Sequence, residues 1–175
     1  MKKIIILSFL FIVTRQLSSY SQEKFGDKLN VGLGIGYTGD YSSQPVLHFN
    51  YEFDAARNFT LAPFITFYAY DEYDAHHDVV YRESAIPIGV KGSYYFDQLF
   101  KAGRHWDFYG AGSLGFTIYN RSWDSGYTGS HEAYGGTSYL YIDLHAGARY
   151  HMSKKVGLYL DLSTGISTFG LSFSF

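Results

Sequence analysis

Residues 139–151 read Tyr-Leu-Tyr-Ile-Asp-Leu-His-Ala-Gly-Ala-Arg-Tyr-His, and their parity decides the fold. Leu140, Ile142, Leu144, Ala146, Ala148 and Tyr150 hold the even positions, while Asp143, His145 and Arg149 fall on odd ones. Successive side chains of an extended strand point to opposite faces, so one face here is wholly apolar and the other carries charge. The composition agrees. Eighteen Tyr, fifteen Phe and nineteen Gly stand beside three Pro and two Met in 175 residues, which suits pleated strands with bulky faces and not a helical bundle.

Seven more runs share this alternation. Before it come Lys28 to Thr38, Gln44 to Phe53, Phe59 to Tyr70, Glu83 to Phe96 and Trp106 to Tyr119; after it come Val156 to Leu162 and Thr168 to Phe175. The third run is the least regular, because Pro63 and Phe64 blur its contrast. Across all eight the apolar parity holds no charged residue, while the other parity is mostly Gly, Ser, Thr, Asn and Tyr with scattered charges. A soluble eight-stranded barrel also alternates, but its polar parity faces water and should be rich in Lys and Glu. Hydrocarbon on one side and a filled lumen on the other accounts for both facts, so an all-β, eight-stranded antiparallel up-and-down transmembrane barrel over residues 28–175 is expected.

The connections support the same topology. Asp54 to Asn58, Asp97 to His105 and Met152 to Lys155 join one set of strand ends; Gly39 to Ser43, Asp71 to Arg82, Asn120 to Ser138 and a tight Ser163 to Ile166 join the other. Short periplasmic turns and longer extracellular loops are the outer-membrane arrangement. Tyr51, Phe53, Phe59, Tyr94, Phe96, Trp106, Phe108, Tyr150 and Phe175 fall at the periplasmic strand ends on the apolar face, where an interfacial aromatic girdle would stand.

The first residues read as an export signal. Lys2 and Lys3 precede an apolar run from Ile4 to Val13, too short to span a bilayer, and Ser19-Tyr20-Ser21 offers a small-x-small cleavage site before Gln22. A signal peptide over 1–21 and a short segment over 22–27 are expected ahead of the barrel. Cleavage would remove Lys2, Lys3 and Arg15 from the fourteen basic residues and none of the sixteen acids, leaving a net charge of −5. Such a chain has no basic stripe for nucleic acid. With no cysteine, it has no disulfide, thiolate metal site or cysteine nucleophile either.

Three stretches, Gly89-Val-Lys-Gly-Ser-Tyr-Tyr-Phe96, Asp107-Phe-Tyr-Gly-Ala-Gly112 and Gly147-Ala-Arg-Tyr-His-Met-Ser-Lys-Lys-Val-Gly157 with the terminal Gly170-Leu-Ser-Phe-Ser-Phe175, resemble the small outer-membrane β-barrel proteins of Gram-negative bacteria, in particular the Bacteroidetes type. The resemblance covers residues 28–175. It implies an outer-membrane location with lipid and the barrel-insertion machinery as partners, and it marks Phe169, Leu171, Phe173 and Phe175 as the C-terminal assembly signal. It implies no activity, since such barrels include adhesins, anchors, narrow channels and lipid-modifying enzymes.

The polar parity sends Glu52, Glu83, Lys91, Asp107, Asp143, Arg149 and Asp161 into the lumen with His48 and His145. An eight-stranded barrel is only just wide enough for its own side chains, so these charges must pair. Asp107 and Arg149, at the same end of neighbouring strands, are the expected partners. Because acids outnumber bases in this set, a leak through it would favour cations. Asp71-Glu-Tyr-Asp-Ala-His-His-Asp78 concentrates metal-ligand types, but its spacing fits no metal template, so no cofactor or metal is expected. Trp123, Tyr127, His131 and Tyr134 in the longest loop are the candidates for binding an extracellular glycan or protein, a mix of aromatic and small polar residues familiar from paratopes.

The reading reached is a non-enzymatic barrel presenting extracellular loops for binding, adhesion or a structural envelope role. A lipid A-modifying enzyme and a narrow cation-preferring pore stand as alternatives. Asp124, Ser130 and His131 have the types of an acyl-transfer triad, but adjacent Ser and His rarely face each other, and no His-x-Ser-Asn stretch like that of the lipid A deacylases occurs.

Overall fold

The computed structural model describes residues 25–37, 43–74, 79–97, 103, 105–123 and 136–175; the expected leader lies outside them. Eight strands follow in chain order: β1 Lys28–Tyr37, β2 Ser43–Ala56, β3 Phe59–Asp74, β4 Val79–Tyr95, β5 Trp106–Trp123, β6 Gly136–His151, β7 Val156–Ser163 and β8 Ile166–Ser174. Each pairs antiparallel with the next, and β8 returns to β1 to close the barrel. Closure gives every strand a partner on both sides, as a sheet that spans hydrocarbon requires. Taken together, the registers of the eight pairings amount to an offset of about ten residues on one circuit of the barrel, so the strands are strongly tilted.

The burial is inverted relative to a water-soluble domain. Leu140, Ile142 and Leu144 are exposed at 64–70%, as are Leu33, Leu114 and Phe169 at 58–60%, while Arg149, Asp143, Asp161 and Glu52 are buried. Charged groups inside and large apolar groups outside minimise free energy only when the outside is itself apolar. Near the chain termini the belt is aromatic. Trp106 stacks on Phe108 at 5.8 Å and tilts against Tyr150 at 4.9 Å, and Tyr94 meets Phe96 at 5.1 Å. The Arg57–Asn58 turn between β2 and β3 is tight, with Asn58 in the left-handed region at φ 56°.

The strands differ from the sequence expectation at the end of the barrel opposite Lys28 and Ser174. Of the expected loop Asp71 to Arg82, Asp71 to Asp74 belong to β3 and Val79 to Arg82 to β4, in register to Asp74↔Val79. Asn120 to Ser138 likewise shrinks, since β5 runs to Trp123, which pairs with Tyr81, and β6 begins at Gly136. In these stretches the strict apolar–polar alternation of the sequence fades while the backbone ladder continues. The irregular third run is also explained: Phe64 faces the lumen, and Pro63 lies on the outer surface.

Candidate functional site

Three linked clusters fill the lumen. The first sits at the end of the barrel where β1 begins and β8 ends, around Arg149 of β6. Its guanidinium lies 2.5 Å from Glu52 of β2 and 3.4 Å from Asp107 of β5, and donates to the Tyr95 hydroxyl at 3.2 Å. Glu52 also accepts from Thr60 at 2.6 Å and from Tyr95, while Asp107 meets His151 at 2.7 Å. The expected Asp107 and Arg149 neighbours are therefore in contact, but Glu52 is the closer carboxylate. It reaches Arg149 from the far side of the barrel.

Sequence reasoning missed the floor of this cluster. Phe25, ahead of β1, enters the lumen and stacks on Tyr95 at 4.2 Å. Its amide and that of Gly26 donate to Asp54 at 3.1 and 2.9 Å, and Lys28 donates to the Phe25 carbonyl. Lys28 is a buried third cation, which narrows the excess of acids over bases that sequence parity suggested. The signal was present, since Lys28 shares parity with Asn30 and Gly32, but it stands at the strand's first position, where a lysine ordinarily reaches water.

The second cluster lies mid-lumen around Asp161 of β7. Lys91 is 2.7 Å away, Tyr109 donates at 2.9 Å, and His145 Nδ1 lies at 2.7 Å from the other oxygen. Ser113 Oγ is 2.8 Å from His145 Nε2. Ser113, His145 and Asp161 thus stand in the order of an acyl-transfer triad, on β5, β6 and β7. The surroundings differ from those of a nucleophile: Ser113 is only 5% exposed, and Asp161 is also held by Lys91 and Tyr109. Asp124, Ser130 and His131 lie outside the described residues.

The third cluster extends toward the opposite end of the barrel, where the β7–β8 turn lies. His48 and Thr66 are 2.7 Å apart, His48 meets Asn50 at 3.0 Å, and Asn50 accepts from Asn30 at 2.7 Å. Asp143 holds the β7–β8 turn, accepting from Thr164 at 2.7 Å, Gly165 N at 2.9 Å and Ile166 N at 3.1 Å, with Tyr141 at 2.9 Å. Rings seal the gaps, with Phe64 at 5.7 Å from Tyr141 and Tyr95 at 5.4 Å from Tyr109. Such a hydrogen-bonded interior ties the strands of the wall to one another across the lumen.

Of the loop candidates, Trp123 closes β5, while Tyr127, His131 and Tyr134 lie outside the described residues. Phe169 and Leu171 face outward on β8, and the exposed Phe175 ties back through its amide to the Asp27 carbonyl at 3.1 Å. Among the described residues no group of His, Cys, Asp and Glu is arranged to hold a metal ion.

The sequence matches no protein-family model and no curated protein. Solved structures do match. The crystal structure of Neisserial surface protein A is similar at 14% identity over 85% of this chain and 95% of that one, with a TM-score of 0.57. A de novo designed transmembrane β-barrel aligns at 12% identity over 87% and 98% of the two chains, TM-score 0.49. The attachment invasion locus protein Ail of Yersinia pestis, in complex with the heparin analogue sucrose octasulfate, aligns at 9% identity over 87% and 99%, TM-score 0.46. The chain therefore has the fold of a small outer-membrane β-barrel.

Proposed function

We propose that this protein is a non-enzymatic integral barrel of the outer membrane, delivered there by its leader, whose work is done by the wall it raises above the membrane. That wall presents a binding, adhesive or structural surface to the outside. Strand length is the observation that carries this reading. β7, β8 and β1 have 8, 9 and 10 residues, whereas β3 to β6 have 16 to 18. At about 3.3 Å per residue and a tilt near 40°, the short strands rise roughly 20–25 Å, enough for the apolar band of ~25 Å. The long ones rise roughly 40 Å and so stand well clear of it.

The paired charges of the lumen support the same reading, because they leave the interior a structural role and move function outward. The outer ends of β3 to β6 carry Asp71, Glu72, Asp74, Arg82, Glu83 and Trp123, and residues 124–135 continue from them. Rigid strands holding a recognition loop are the usual architecture of a binding surface.

The test is deletion of residues 124–135, bridged by Asn-Gly, in cells with surface display checked by antibody. Wild-type cells should bind members of a glycan array or immobilised matrix proteins, and the deletion should abolish that binding. Equal binding by displayed wild type and deletion would refute the assignment, as would a change in lipid A mass on overexpression.

A further inference from the structure

The three prolines of the chain lie in three adjacent strands, Pro45 in β2, Pro63 in β3 and Pro87 in β4. A prolyl nitrogen has no hydrogen to donate to a neighbouring strand. The β2–β3 register passes from Asn50↔Phe64 directly to Phe53↔Leu61 across Pro63, and β3–β4 passes from Ile65↔Ile88 to Tyr68↔Ala85 across Pro87. Toward the extracellular rim, the last β2–β3 pair among the described residues is Leu47↔Phe67, two residues short of Pro45. Above it β2 remains zipped to β1 as far as Tyr37↔Ser43, and β3 to β4 as far as Asp74↔Val79. The two hairpins part.

Where they part lies a cavity of about 520 Å³, with Leu33, Pro45 and Leu47 on one lip and Phe67, Ala69 and Ile86 on the other. That volume falls within the ~300–1,000 Å³ typical of small-ligand sites. These six lip residues have outward parity and apolar side chains; Val46 and Tyr68 of inward parity and Ser84 complete the lining, so the groove is mostly apolar with two hydroxyl-bearing residues on its wall. The cavity is continuous with the lipid-facing surface, since Leu33, Leu47 and Phe67 are themselves exposed members of the apolar belt. Its depth can be placed. Leu33 is four residues above Leu29 on β1, about 10 Å along the barrel axis, so the groove opens inside the ~25 Å band and meets hydrocarbon, not headgroups or water.

We infer that this seam is a lateral lipid site: one acyl chain of a membrane lipid lies between β2 and β3, held by the apolar lips that Pro45 keeps apart. The inference rests on the membrane-spanning reading. It adds a specific position at which the barrel retains lipid, in place of uniform contact around its belt. A flexible methylene chain fits because the lips are apolar and the hydroxyl-bearing Tyr68 and Ser84 are a minority of the lining.

The full chain is reconstituted in phosphatidylcholine nanodiscs containing a fraction of phosphatidylcholine with a diazirine midway along one acyl chain, irradiated, and its adducts mapped by mass spectrometry. Adducts should accumulate severalfold on Leu33, Leu47, Phe67 and Ile86 over Leu140, Ile142 and Leu144. Exposure alone predicts the reverse, since Leu33, Leu47 and Phe67 are 39–58% exposed and the β6 residues 64–70%. Ala69→Trp should fill the groove, and Pro45→Val should restore an N–H with which the seam can close. Either should lower groove labelling to the β6 level, with β6 labelling and heat-modifiable gel mobility unchanged. Labelling in proportion to exposure, or unaffected by both folded variants, would overturn the site while leaving the barrel in the membrane. An outer surface with no adducts anywhere would overturn the membrane reading as well.

Discussion

Arg149→Met should destabilise the barrel by about 3–5 kcal/mol, the usual consequence of leaving buried countercharges behind. Arg149 is 2% exposed and is the guanidinium shared by Glu52 at 2.5 Å and Asp107 at 3.4 Å. Methionine keeps most of the length and takes away only the charge and its donors. Glu52 retains Thr60 at 2.6 Å, and Asp107 retains His151 at 2.7 Å, so hydrogen bonds survive while two carboxylates lose their nearest cation. That defines a cycle. Glu52→Gln in the Arg149→Met background should recover at least about 2 kcal/mol, because a neutral amide of the same shape still accepts from Thr60 without demanding a countercharge. The assay is guanidinium unfolding of the refolded protein in lipid vesicles, followed by fluorescence of Trp106 and Trp123 and by gel mobility. A loss below about 1 kcal/mol for Arg149→Met, or a double variant whose loss is the sum of the two singles, would refute a countercharge role for Glu52.

Two further predictions separate the outer and inner surfaces of the wall. Ile142→Arg places a charge on the outward face of β6, where Ile142 is 64% exposed, and should cost about 2–4 kcal/mol in vesicles at the bilayer midplane; a neutral effect there would argue that this face meets water. Gly170→Ala drives a methyl to 2.1 Å from the Val31 carbonyl oxygen on the adjacent strand, whereas at Gly112 nothing comes nearer than 3.9 Å. The first should cost about 1–3 kcal/mol and the second less than about 0.5 kcal/mol by the same titration, and equal effects would contradict the β1–β8 packing.

Much of this architecture is written locally. The even positions of residues 140–150 face outward and Asp143, His145 and Arg149 inward because the pleat has a period of two, whatever the strand is paired with. Strand number, the outward belt and its aromatic rim follow from that rule alone. Local patterning could not find the ends of β3 to β6, since a ladder in water needs no apolar face. It also could not place Phe25, whose position depends on how the lumen is filled.

The sequence by itself determined which face each residue of a strand would take, and hence that charges would be buried among polar neighbours inside an apolar exterior. Only the tertiary structure decided which charges meet. Glu52 and Arg149 are 97 residues apart and Lys91 and Asp161 are 70 apart, and both pairs cross the lumen between strands that are not neighbours. Parity is a property of one extended segment; the partner across a barrel depends on tilt, shear and closure, which belong to all eight strands together.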